Sequence, residues 1–182
     1  MKCAVLAMSL FPAALAAQAT QVTTPDHRDA GRLDVVLSQT GFSLKLNVPT
    51  VDVVGFEAPI SNDDERTKVA IAMSELSKPL DLFVVPLEAG CFTTSANVIL
   101  MHQIVDQNDT GRASSGSPTD ESHAEFQADY VVQCQDMSAL DRFDFAYFDR
   151  FSGSETLTVR IKADGTEQTR EATRAVPQVT LP

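Results

Sequence analysis

The stretch from His123 to Cys134 places the strongest constraint on how this chain can fold. It reads His-Ala-Glu-Phe-Gln-Ala-Asp-Tyr-Val-Val-Gln-Cys and alternates with period two. Successive side chains of a strand point to opposite faces. Phe126, Ala128, Tyr130 and Val132 therefore share one face, and His123, Glu125, Gln127 and Asp129 share the other. This pattern predicts a half-buried strand with a core side and a row of oxygen and nitrogen donors. Cys134 falls on the core side at the end of the row.

The chain has 182 residues and three cysteines. Met1 to Ala19 has the order of a secretory signal peptide: Lys2, an apolar run, then small residues suited to cleavage after Ala16 or Ala19. The apolar run is too short to span a bilayer, and the chain has no other segment apolar enough to cross one. The expectation is a soluble, exported protein. Residues 20–30 would form a flexible lead-in and 31–182 a single domain. Cys3 leaves with the signal peptide, so Cys91 and Cys134 remain as an even pair. In an oxidising compartment such a pair predicts a disulfide. A two-cysteine metal site is the rival reading, although the pair does not form a C-x-x-C motif.

Charge narrows the partners. Removing Lys2 leaves 13 basic against 25 acidic residues, a net charge of −12. No basic patch is visible, which argues against nucleic acid or anionic lipid. An acidic balance serves solubility first and attracts cations second.

The rest of the chain reads as strands around one principal helix. Leu33 to Leu37 and Phe42 to Val48 flank Ser38-Gln39-Thr40-Gly41, a hairpin signal. Val51 to Phe56 is expected to continue as an extended piece. Asn62 caps a helix with Glu65 as its capping-box partner. Val69, Met73, Leu76 and Leu80 recur at helical spacing, and Pro79 ends or kinks the helix. Leu82 to Val85 is a short core segment. Phe92 to Val105 reads as a strand, and 106–122 as a flexible loop of small and polar residues. Arg142 to Phe148 and Thr156 to Ile161 give further strands, and Asp164-Gly165 turns into a final polar strand. The fold class is α+β, an antiparallel meandering sheet with one principal helix and one disulfide.

Catalytic motifs are absent. Ser152-Gly153-Ser154 is not a nucleophile elbow, because no strand-to-helix turn frames it. Asp106 to Gly111 opens like a calcium loop, but its twelfth position is Ser117 where a bidentate glutamate is required. No phosphate-cradling glycine motif occurs. The expectation is a protein that is not an enzyme.

Metal binding has more support. A transition-metal site needs several imidazole, thiolate or carboxylate donors converging at about 2 Å. His123, Glu125 and Asp129 lie on one strand face. Alternate residues are about 7 Å apart, so only adjacent ones can share an ion, with help from another strand. His102 lies across the 106–122 loop, and His27 lies in the lead-in. The bland reading of the same row is a solvated strand face.

Several segments, taken in order, resemble a family of bacterial periplasmic domains, the ZrgA-like family. Pro49-Thr50-Val51-Asp52-Val53-Val54-Gly55-Phe56-Glu57 is similar to its proline-then-valine-glycine-phenylalanine-glutamate segment. Leu82-Phe83 through Ala89-Gly90-Cys91 is similar to its helix exit and first cysteine. His123-Ala124-Glu125-Phe126 through Tyr130 and Cys134 is similar to its most specific motif, and Phe148-Asp149-Arg150-Phe151 and Gly165 are compatible. The resemblance implies zinc binding in support of zinc acquisition, with a divalent ion and a periplasmic zinc-uptake component as partners. The resemblance carries over His123 as the metal anchor and Glu57 as part of its motif; Glu125, Glu57 and His27 are the candidate helpers. This is a histidine-poor form: Asp26 and Arg28 stand where leading histidines would fall, Gln127 replaces a strand histidine, and 106–122 contains no histidine. The alternative function is a structural or protein-interaction module on the same fold without the metal.

Overall fold

The structure, a computed structural model, describes residues 31–57, 59–102 and 124–182. Three hairpins supply the main sheet. Strand β1 (Gly31–Ser38) pairs with β2 (Gly41–Pro49), β4 (Phe92–His102) with β5 (Ala124–Gln133), and β7 (Thr156–Ala163) with β8 (Thr166–Thr173). The six strands lie in the order β4-β5-β2-β1-β7-β8. Only β1 and β7 run parallel; the other neighbours are antiparallel. A second sheet of three short strands, β3 (Phe83–Val84), β6 (Arg142–Phe145) and β9 (Gln178–Thr180), has the order β3-β6-β9.

Period-two alternation gives the main sheet one dry and one wet face. Phe126, Ala128, Tyr130 and Val132 are buried, as are Leu44, Leu46 and Val48 on β2 and Val159 and Ile161 on β7. The small sheet packs on this dry side. Phe42 of β2 meets Phe143 of β6 edge-on at 5.1 Å between ring centroids, and Tyr130 of β5 meets Phe83 of β3 at 6.5 Å. Both sheets thus share one hydrophobic core.

The principal helix, α2 (Asp63–Leu76), completes the cover. Asn62 accepts a hydrogen bond from the Glu65 amide at 2.9 Å, as the capping signal predicts. Glu65 reaches back one residue further than a standard capping box, taking the Ser61 amide at 2.6 Å. That amide and the Ser61 hydroxyl hold the Glu65 carboxyl below its ordinary range. Val69 and Leu76 are buried and Met73 half-buried. Ser77 ends the helix, and Pro79 opens a separate turn, α3 (Pro79–Leu82), which carries Leu80.

Tyr130 ties the helix to the sheet. Its hydroxyl donates to the Leu76 carbonyl at 2.7 Å, in the last turn, where carbonyls lack helical partners. Burial pushes the Tyr130 phenol upward, so it stays a protonated donor. Tyr130→Phe should cost about 1–2 kcal/mol, the penalty of an unpaired buried carbonyl. Urea unfolding reads this as a lower midpoint at unchanged slope; an unaltered midpoint would mean that the bond contributes nothing.

Three expectations need correction. Thr50–Val54 is a helical turn, α1, where an extended piece was expected. Gly55 closes it at φ 81°, accepting the left-handed geometry that other residues resist, and its amide bonds to the Val51 carbonyl. The valines around it read as β-formers, but the local glycine stop prevails. Arg142 to Phe148 is a strand only to Phe145; Tyr147–Arg150 forms the turn α4. Arg174 fixes α4 and the chain after it, donating to the carbonyls of Phe148, Phe151 and Ser154. Strand β9 was not expected, and its three residues are too few for a pattern.

Candidate functional site

The disulfide and the donor row occupy opposite ends of β5. Cys91 and Cys134 are bonded, as the parity of the cysteines predicts. They sit one residue beyond the Phe92–Gln133 rung of β4 and β5. The Cys134 amide donates to the Thr40 carbonyl, and the Gln135 and Asp136 amides both donate to the Ala89 carbonyl. Gly41 meets the same region: a Cβ there would lie 2.1 Å from the Val132 carbonyl oxygen, so only glycine lets the strands approach.

At the other end stands Glu125, half-buried, on the rung that joins Met101, Glu125 and Pro49. The Gln127 amide group donates to its carboxylate at 2.5 Å, so the row orients its own acceptor. Thr50 follows Pro49 in the chain and is buried; its hydroxyl faces the Glu57 carboxylate at 3.4 Å. The backbone of His102 pairs with that of Ala124 one rung further. Gly31 begins β1 beside the last residues of β2, at this same end. The predicted ligands Glu125 and Glu57 thus belong to neighbouring pieces of one sheet end. His123 and His27 lie outside the described residues; in the chain, His123 precedes Ala124 directly and His27 precedes Gly31 by four positions. Among the described residues, no three histidine, cysteine or acidic side chains converge as a metal cluster.

The wet face carries a feature that the chain pattern does not reveal. Registers align Asp129, Lys45, Asp34 and Arg160 across four adjacent strands. Charge alternates along this rung. Asp34 lies 3.4 Å from the Arg32 Nε and 3.5 Å from the Arg160 Nε. Its Oδ1 makes no aligned hydrogen bond, so the Arg160 contact is an ion pair only. Such part-exposed pairs contribute on the order of 0–1 kcal/mol each. A shallow concavity of about 420 Å³ overlies the rung, between Asp34, Lys45, Asp129, Arg160 and Lys162. Strand alternation could have placed these residues on the wet face; the neighbour order that aligns them came only with the topology.

These features define a disulfide-closed, two-sheet α+β scaffold with one face open to water and acidic side chains at one end. Comparison with known families gives it a place. The chain matches the model of the ZrgA family of zinc uptake proteins over residues 25–181 and belongs to that family. A search among curated proteins finds no match. Among the described residues no helix is long and apolar enough to cross a membrane.

Proposed function

We propose that this chain is a periplasmic accessory protein of zinc uptake that holds zinc as cargo, without enzymatic activity. His123 anchors the ion, with Glu125, Glu57 and His27 as further ligands. Family membership carries the reading. The arrangement of the chain supports it: Glu125, Glu57, His102 and Gly31 belong to one end of the main sheet, and His123 and His27 adjoin that end in sequence. Borderline-soft zinc suits a mixed imidazole and carboxylate set. The acidic chain, with 25 acidic against 14 basic residues, adds a weak general attraction for cations.

Calorimetric titration with zinc after chelation tests this. The expected result is one site tighter than about 100 µM, a bound looser than sensor-type sites. His123→Ala should weaken it by at least about tenfold, since even outer partners of metal ligands are worth that much. The melting temperature of the metal-free variant should stay at the native value. Absence of binding tighter than that bound would end the specific-site reading.

A further inference from the structure

We propose that the outer edge of β4 pairs with the same edge of a second copy, joining two six-stranded sheets into one across a two-fold axis. A sheet edge presents unpaired amides and carbonyls, and proteins that remain monomeric guard such edges with charge, proline or brevity. The two edges of this sheet differ on that point. The β8 edge carries Glu167, Arg170 and Glu171 within eight residues. The β4 edge runs for eleven residues, Phe-Thr-Thr-Ser-Ala-Asn-Val-Ile-Leu-Met-His, without an acidic residue, lysine, arginine or proline. Among the described residues its one guard is the irregularity between Thr93 and Ser95, near one end. Among the described residues no strand pairs with this edge.

The occupant follows from charge and shape. Two copies of a chain with net charge −11 repel each other over most of their surface. The long uncharged edge is a line along which they can meet without opposing like charges. Ile99 and Met101 are exposed there, while Val98 and Leu100 are only half-buried. In an antiparallel pair, residues directly opposite share a face. A two-fold axis through Asn97 sets Val98 against Ala96 of the mate on the core side, and Ile99 against Ser95 on the wet side. Large side chains then lie opposite small ones at every rung next to the axis, as an isologous interface requires.

Asn97 itself gives the test. It lies on the rung of Asp129, so Asn97→Glu would set four carboxylates in one line across the axis. Sedimentation of the mature protein is measured in chelator, at up to about 100 µM, above the micromolar limit usual for interfaces of standard size. The native chain should reach twice its monomer mass and Asn97→Glu should stay monomeric. An equimolar mixture of Asn97→Glu with Asn97→Lys should regain the dimer, because opposite charges then meet at the axis. A native chain that stays monomeric, or an Asn97→Glu variant that still dimerises, overturns the proposal. Mass in chelator is independent of zinc titration, so this result and that of the zinc experiment stand apart.

Discussion

Replacing Cys91 and Cys134 together with serine should lower the stability by about 4 kcal/mol. The bond spans 43 residues, and closing a loop of that size restricts the unfolded chain by roughly this amount in the chain-entropy view. The native arrangement should survive. The Cys134 amide stays bonded to Thr40, and Ala89 still accepts from Gln135 and Asp136. The ladder of β4 and β5 continues for ten rungs beyond the bond. Far-ultraviolet circular dichroism should therefore match the native protein, while the thermal midpoint falls by roughly 10 °C. A midpoint within about 2 °C of the native value would show that the bond joins parts already held by other contacts.

Phe83 carries the second large effect. It belongs to a strand of two residues, yet it is fully buried and joins three elements. Its ring lies 5.7 Å from Phe145, 6.1 Å from Tyr147 and 6.5 Å from Tyr130. Phe83→Ala removes the ring that links the small sheet to β5 and should cost about 3–5 kcal/mol. Phe83→Leu keeps most of the volume and should cost less than half as much. Leu87→Ala nearby, at a side chain 93 % exposed, should change stability by under about 0.5 kcal/mol. Urea unfolding of the three variants measures the order. Equal losses for Phe83→Ala and Phe83→Leu would place the effect in ring stacking, not in filled volume.

The residues made some parts of this fold legible and concealed others. Period-two alternation from Phe126 to Val132 and from Phe42 to Val48 identified the dry face, because one side of each strand must leave water. Asn62 and Glu65 marked the start of α2, since capping is local chemistry. Cysteine parity pointed to Cys91 and Cys134. The valines at 51, 53 and 54 misled, because β-propensity reflects packing on a sheet and Gly55 ends a helical turn there. The parallel pairing of β1 with β7 was not legible, because two hairpins can join a sheet at several edges. The Asp129, Lys45, Asp34 and Arg160 rung depended on that pairing and was hidden with it. At the candidate site, the row gave Glu125 and Gln127 directly. That Thr50 and Glu57 fall at the same end of the sheet emerged only once β5 was seen to pair with Pro49.

The rung between His102 and Ala124 has a consequence for how such a protein can evolve. The two strands meet there in register before the chain leaves β4 and after it returns to β5. Everything between these residues joins a stem that is already closed. The cost of closing a loop grows only slowly with its length, by about 0.6 kcal/mol per doubling. A change in chain length between 103 and 123 therefore bears little on the ladder, whose ten rungs are held by the strands themselves. On the proposed reading of zinc as cargo, a gain or loss of histidines between these rungs would change what the frame holds without rebuilding it.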